Sequence, residues 1–274
     1  MRAIKENSCL GASIEGIDLT KPLSDKEVSF ISNSLAEYEV IFFKNQRIEP
    51  SEHREFALNF GSLQTHPAYP TVDGYPEITI LENDRDNPSK IEEWHTDMTF
   101  REIPPLGSIL IGRIVPPKVG ATLFGSLSKA YESLPEKMKL KLGSLSAVHS
   151  FEYGFKESLA EPGGRERLKQ ALIDNPPVTH PVIRTHPITG RKSIFVNKLF
   201  TSHINEVNEE ESKEILSLLF EHIKKDEFLM KFEWEKDFIA FWDNRSILHK
   251  PDNDYWPQHR KMERITIDDT LRPS

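Results

Sequence analysis

Short runs of strand-forming residues are scattered along this chain, and long helical or irregular stretches separate them. The runs lie at 40–43, 77–80, 108–115, 193–196, 237–242 and 264–267. A parallel sheet flanked by helices requires regular alternation of strands and helices, and this chain lacks that alternation. The chain is therefore predicted to be mainly β (α+β), with a jelly-roll (double-stranded β-helix) core and helices packed outside it.

Helices are predicted to begin at four positions outside these runs, at Ser24, near Ser51, near Lys129 (over 129–142) and at Asn208. Ser24 and Glu27 have the spacing of a capping box ahead of an apolar helical face. Three glutamates follow Asn208 and suit the positive end of a helix dipole. The segment 155–169 is rich in turn-forming residues, and it is predicted to be a lid over a site or an ordinary surface loop.

Composition favours a soluble cytoplasmic enzyme. No stretch approaches the roughly 18 apolar residues of a membrane span, and the single cysteine, Cys9, cannot form an intrachain disulfide. Thirty-five basic and 43 acidic residues give a net charge of −8, which argues against a nucleic-acid partner. No glycine-rich phosphate loop is present. Residues 1–274 are predicted to form one domain, without nucleic-acid or membrane partners.

The segment Glu93-Trp-His-Thr-Asp97 suggests a metal site. His95 and Asp97 are two residues apart, and on a strand such positions point to the same side. Two histidines and one carboxylate form the facial triad that holds Fe(II) in oxygenases and leaves coordination positions open. A surface His–Asp pair is the alternative interpretation, so a second histidine from elsewhere in the chain is required.

His249 is the best candidate for that second histidine. It follows the apolar run Phe238–Trp242 and precedes Arg260 and Arg264. These arginines frame a predicted strand, so at least one of them is expected to point into the barrel. A buried arginine needs an anionic partner, and a dicarboxylate cosubstrate would provide one. The alternative is that both arginines form surface ion pairs.

Nine ordered motifs extend over nearly the whole chain. They are Gly16–Asp25, Phe60–Pro70, Trp94–Phe100, Gly120–Leu123, Asn175–Pro177, His180–Pro187, Phe195–Asn197, Trp242–Arg245 and His249–Arg264. With these motifs the chain resembles the taurine dioxygenase family of Fe(II)- and 2-oxoglutarate-dependent oxygenases. The resemblance implies a homo-oligomeric enzyme that uses Fe(II), 2-oxoglutarate and O2.

The resemblance also assigns the residues around the iron. It implies that His95, Asp97 and His249 are the iron ligands. Arg260 matches the arginine that pairs with the distal carboxylate of 2-oxoglutarate, and Thr122 matches the hydroxyl that assists it. Iron held in this way keeps two positions for the cosubstrate and one for dioxygen.

A third set of residues corresponds to the substrate pocket of the family. Arg264 matches the arginine that holds the substrate sulfonate, and His66 matches the residue that assists it. Tyr69, Phe151 and Phe200 match the wall around the short carbon chain. The resemblance therefore implies a small anionic substrate.

Ile91 is the point at which the chain departs from the taurine enzymes, which carry an asparagine implicated in holding the substrate amine. Isoleucine cannot hydrogen-bond an ammonium group, so we expect an anionic substrate with an uncharged or bulkier tail. The predicted reaction is hydroxylation of taurine or another alkanesulfonate next to sulfur, which releases sulfite, an aldehyde, succinate and CO2. The alternatives are the same iron chemistry on an alkyl sulfate ester or aryloxyalkanoate, and a non-catalytic, metal-binding jelly-roll protein.

Overall fold

An eight-stranded sheet packs against a three-stranded sheet in the computed structural model, which describes residues 1–65, 69–89 and 93–274. With strands numbered in chain order, the larger sheet runs β1 (Arg2–Lys5), β2 (Ala12–Glu15), β3 (Val40–Phe43), β14 (Ile239–Asp243), β6 (Gly107–Ile114), β16 (Arg260–Ile267), β5 (Tyr75–Asn83) and β4 (Thr71–Val72). The smaller sheet runs β13 (Leu229–Phe232), β7 (Thr122–Ser126) and β15 (Ile247–Pro251). The predicted jelly-roll fold class is confirmed.

The remaining elements lie outside these two sheets. The other strands are β12 (Thr201–Ile204), β8 (Ser146–His149) and β9 (Val178–Pro181) in a second three-stranded sheet, and the pair β10 (Ile183–Thr185) and β11 (Lys192–Ile194). The helices are α1 (Asp25–Tyr38), α2 (Pro50–Leu58), α3 (Leu127–Glu132), α4 (Glu136–Leu142), α5 (Phe151–Gly154), α6 (Lys156–Ala160), α7 (Gly164–Arg167), α8 (Lys169–Asp174) and α9 (Glu209–His222), with a 3-10 helix at Asp226–Phe228. Within the described ranges, no helix combines the length and the apolarity needed to cross a membrane.

Large apolar side chains from both sheets fill the space between them. Phe42, Trp242 and Met262 of the larger sheet share one buried cluster with Phe124 of the smaller sheet. The opposite face of the larger sheet is covered by α1 and α2 through a separate apolar cluster. Because side chains alternate along a strand, residues of β16 at even spacing from Met262 also face the inside of the barrel.

The predicted helix starts are confirmed where a capping residue marks them. Ser24 caps α1 in a capping box with Glu27, and Asn208 caps α9 through the backbone N–H of Glu211. The single helix predicted near Lys129 is instead two helices, because Pro135 interrupts it. The segment 155–169 is predicted to be either a lid or a surface loop, and the lid stays a prediction. The segment forms short helices that pack into an apolar cluster through Leu159 and Leu168.

Glu39 is a buried carboxyl group at the carboxyl end of α1. The Ser128 hydroxyl donates a hydrogen bond to its Oε1, whereas Oε2 has no partner among the described residues. Arg191 Nη1 lies 4.0 Å from Oε1. Burial raises the pKa of Glu39 from 4.5 to about 7, although the Ser126 and Ser128 hydroxyls and Arg191 oppose the shift. Folding therefore favours the protonated form of this group.

We expect Glu39→Gln to remove part of the pH dependence of stability. The raised pKa of Glu39 stabilises the folded protein fully below about pH 4.5, and this contribution disappears as the pH rises through about 7. A shift of this size corresponds to about 3 kcal/mol. The free energy of unfolding of both proteins is measured with urea at pH 5 and pH 8. The wild type should lose more of it between pH 5 and pH 8 than Glu39→Gln does. Equal losses in the two proteins would contradict the assignment.

Candidate active site

The three side chains predicted to hold iron meet on the inner side of the barrel. Backbone hydrogen bonds join His95 and His249 in both directions, with N···O distances of 3.0 and 2.8 Å. Asp97 Oδ1 lies 3.7 Å from His95 Nε2 and 3.8 Å from His249 Nε2. One ligand atom from each residue falls within 4.8 Å of the others, and all three residues are buried. The chain therefore brings together a donor set that can hold a metal ion.

His95 and Asp97 are not brought together by a strand, as their spacing predicts. The segment is not a regular strand, since it makes one isolated bridge and then turns at Asp97–Phe100. Asn244 holds the turn instead. Its Oδ1 accepts a hydrogen bond from the Asp97 N–H at 2.8 Å, and its Nδ2 donates to the Asp97 carbonyl at 2.9 Å. The connection between β14 and β15 thus orders the segment that carries Asp97, and β15 supplies His249.

Each carboxylate oxygen of Asp97 has its own neighbour. Ser108 Oγ donates a hydrogen bond to Oδ2 at 3.0 Å, and Arg264 Nη1 lies 3.4 Å from Oδ1. Burial by itself would raise the pKa of Asp97, but Arg264, the two histidines and the Ser108 hydroxyl lower it to about 2. Asp97 is therefore ionised at neutral pH, as a metal ligand must be.

The two imidazoles are neutral and suited to metal binding. Burial lowers the pKa of His95, and it lowers that of His249 to about 3, with the neighbouring His95 adding to the effect. His95 Nδ1 lies 2.9 Å from the Glu93 carbonyl, so this nitrogen carries the proton and Nε2 is left to bind a metal. Two neutral imidazoles and one carboxylate are the donor set of facial-triad Fe(II) sites.

Arg260 lies on the same strand as Arg264 and provides a place for an anion. Its side chain is buried, and among the described residues no carboxylate lies within ion-pair distance. The guanidinium lies over the Tyr255 ring at 5.3 Å, and its Nε has no hydrogen-bond partner in the described chain. Gly120, with φ +71°, permits this packing, since a Cβ there would lie 3.1 Å from the Arg260 side chain. The arrangement fits a carboxylate ligand.

Thr122 is oriented by an indole. Trp234 Nε1 donates to Thr122 Oγ1 at 2.9 Å, which leaves the threonine hydroxyl hydrogen available for another acceptor. Thr122 lies two residues after Gly120, the residue that packs on Arg260. Both groups predicted to bind 2-oxoglutarate are thus donors placed in one region of the barrel.

Two of the predicted substrate residues belong to an aromatic cluster next to Asp97. Phe151 and Phe200 pack on Phe100 with ring centroids 5.2 and 4.9 Å apart, and Met98 belongs to the same cluster. Tyr69 is half-buried just before β4. His66 and Ile91 lie outside the described residues.

Sequence reasoning missed the supporting residues Ser108, Asn244 and Trp234. Asn244 belongs to a motif that contributes to the family resemblance, but its position after a predicted strand does not indicate which backbone it holds. Ser108 begins a predicted strand and its sequence neighbours are apolar. Trp234 carries no local pattern that points to Thr122. Ser108 is 11 positions from Asp97 in the sequence, and Asn244 is 147 positions from it. Trp234 is 112 positions from Thr122.

A jelly-roll core with two neutral imidazoles, one carboxylate and two buried arginines on its inner side defines a facial-triad metal oxygenase with an anionic cosubstrate. The profile of the family described as taurine catabolism dioxygenase TauD, TfdA family matches residues 2–266. The chain belongs to this TauD/TfdA family. The predicted enzyme class, an Fe(II)- and 2-oxoglutarate-dependent dioxygenase, is confirmed, and so are the predicted cofactors.

Three known proteins illustrate the relationship. An alkylsulfatase of Acinetobacter baylyi is 37% identical over 262 residues, which cover 94% of this chain and 82% of that protein. An alpha-ketoglutarate-dependent sulfate ester dioxygenase of Pseudomonas putida is 32% identical over 94% of this chain and 86% of its own length. The crystal structure of a taurine dioxygenase from Burkholderia xenovorans has a TM-score of 0.84 and 31% identity, and the match covers 99% of this chain and 90% of that chain.

Proposed function

We propose that residues 1–274 form one dioxygenase domain that oxidises a small organosulfur anion, and that an alkyl sulfate ester is its preferred substrate. One observation carries this proposal. Strand β16 places Arg260 and Arg264 four residues apart on the inner face, and each has a buried Nε without a partner among the described residues. Buried arginines that lack full pairing favour anionic ligands. Two such arginines suit a dicarboxylate cosubstrate and an anionic substrate.

The metal and cosubstrate would be held by residues from three parts of the fold. His95, Asp97 and His249 would bind Fe(II), while Arg260 and Thr122 would bind the distal carboxylate of 2-oxoglutarate. When bound, this centre and dioxygen supply the oxidation of a C–H bond. The protein would contribute an ionised carboxylate and two neutral imidazoles as metal ligands. The buried Arg260 guanidinium would orient the cosubstrate.

Arg264 would hold the anionic head of the substrate. Among the described residues its Nη1 contacts Asp97 Oδ1 at 3.4 Å and its Nε has no partner, so donors are available for a second anion. Because Arg264 contacts Asp97, a head group bound there lies beside the metal ligands. The carbon attached to the head group is then the carbon nearest the oxidising centre. His66 and Tyr69 would complete the contacts to this substrate.

The apolar side of the site favours a hydrocarbon tail. Phe151 and Phe200 would form the wall of the pocket, and their neighbours in the cluster are apolar as well. The relatives named alkylsulfatase and sulfate ester dioxygenase support a sulfate ester in particular. An alkanesulfonate is the second candidate, and the similarity to a taurine dioxygenase supports it. A sulfonate would present three oxygens to Arg264, as a sulfate ester does.

We expect an alkyl sulfate of medium chain length to be turned over better than the alkanesulfonate of equal length, and both better than taurine. An apolar tail gains from burial against the phenylalanines, whereas an ammonium group loses its hydration there. Substrate-dependent succinate release measures turnover. Oxidation of a sulfate ester at its attached carbon yields an aldehyde and sulfate, while a sulfonate yields an aldehyde and sulfite, so assay of the two anions identifies the bond that breaks.

Two variants locate the site of the head group. Arg264→Gln should lower kcat/KM for the preferred anion roughly tenfold or more, because a hydrogen bond to a charged group is lost. Arg113→Gln is the matched control, since Arg113 pairs with Glu263 on the outer face of the same sheet. Equal losses in the two variants, or equal turnover of the parent alcohol and its sulfate ester, would contradict an anion site at Arg264.

A further inference from the structure

Ser108 lies on a central strand of the larger sheet, between two partner strands. It is fully buried near the start of β6, and it pairs with Trp242 of β14 on one side and with Thr266 of β16 on the other. Its hydroxyl lies 3.0 Å from Asp97 Oδ2 and 3.3 Å from Thr266 Oγ1. A side chain held between two central strands has little freedom to move, so its hydroxyl is a fixed point for the carboxylate.

The two oxygens of Asp97 are thereby made different. Oδ2 accepts the Ser108 hydrogen bond, whereas Oδ1 is the oxygen that lies 3.7 and 3.8 Å from the two imidazole Nε2 atoms. Asn244 fixes the backbone of the same residue, so the remaining freedom of the carboxylate is rotation about its side-chain bonds, which would break the Ser108 hydrogen bond.

We propose that Ser108 is a positioning residue that keeps Asp97 a ligand through one oxygen only. The inference rests on the proposed function, in which His95, Asp97 and His249 hold the iron. A carboxylate that binds through one oxygen leaves three of six positions for the cosubstrate and dioxygen, and one that binds through both oxygens leaves two. The Ser108 hydrogen bond would therefore keep one coordination position of the metal open for dioxygen after 2-oxoglutarate has taken two.

Ser108→Ala tests this role, because metal affinity and turnover should respond differently to it. Without the hydroxyl, Oδ2 is free to approach the metal, so the affinity for Mn(II), measured without oxygen by the EPR signal of free Mn(II), should be unchanged or higher. Binding of 2-oxoglutarate to the Mn(II)-loaded protein should persist. Succinate-forming turnover of the Fe(II) enzyme should fall about 10- to 100-fold, with a higher KM for dioxygen.

Ser193→Ala is the matched control, because Ser193 is a buried serine whose hydroxyl donates to the Arg245 carbonyl and not to Asp97. It should leave Mn(II) affinity and turnover unchanged. Wild-type turnover in Ser108→Ala would overturn the inference. A parallel fall in Mn(II) affinity, turnover and melting temperature would overturn it too, since it would show general support of the fold. If the wild type itself binds no 2-oxoglutarate, the proposed function fails, whatever Ser108 does.

Discussion

Replacing His95, Asp97 or His249 with alanine should reduce substrate-dependent succinate release by more than roughly 100-fold, since even residues that only support ligands cost 10- to 100-fold. Each of the three contributes one ligand atom to a buried cluster within 4.8 Å. Losing any one of them removes metal affinity and the arrangement of all ligands on one face. The measurement is turnover at saturating Fe(II) and 2-oxoglutarate, together with Mn(II) affinity.

The control is His222→Ala, which removes a histidine outside the cluster. His222 Nε2 contacts the Ala130 carbonyl at 2.9 Å in a partly buried position. Far-ultraviolet circular dichroism establishes that each variant is folded. Near wild-type activity in any of the three ligand variants would contradict the assignment of that residue, and so would a comparable loss in the control.

Arg260→Ala should raise the 2-oxoglutarate concentration needed for half-maximal turnover by roughly 30-fold or more. Deleting one partner of a buried charge pair costs about 2–5 kcal/mol. Each tenfold change in affinity corresponds to about 1.4 kcal/mol, so the lower end of this range gives the expected change. The arginine is buried, its Nε has no partner among the described residues, and the proposed function assigns the cosubstrate as its anion. Initial rates across a range of 2-oxoglutarate concentrations measure the effect.

Arg264→Gln serves as the comparison for this second variant. It lies four residues along the same strand and faces the same side, but its contact is with Asp97. It should change the KM of the organosulfur substrate more than that of 2-oxoglutarate. An unchanged cosubstrate requirement in Arg260→Ala would move the anchor to another residue, with Arg264 the first to test.

Local patterns in the sequence were sufficient for several elements of the fold. Ser24 and Asn208 begin helices because a side-chain oxygen three residues before a backbone N–H can satisfy it without help from the rest of the chain. The buried strand Val40–Phe43 was predicted from its apolar run. The apolar pattern near Lys129 predicts one helix, whereas Pro135 divides the segment into two.

The arginines of β16 show the limit of this reasoning. The predicted strand began at Arg264, and only one arginine was required to point inward. The observed strand begins at Arg260, and its pairing with β5 and β6 turns both arginines to the interior. Strand register depends on partners far away in sequence, so it cannot be obtained from a single segment.

The sequence by itself determined which residues are proposed to provide the chemistry, namely two histidines, one aspartate and two arginines, because ordered motifs preserve residue type and spacing. Only the tertiary structure decided how Asp97 is held. Asn244 fixes its backbone from 147 residues away, and Ser108 reaches its second oxygen from the adjacent sheet. The physical reason is that a carboxylate's orientation is set by hydrogen bonds that form only when distant strands pair, and no local propensity records them.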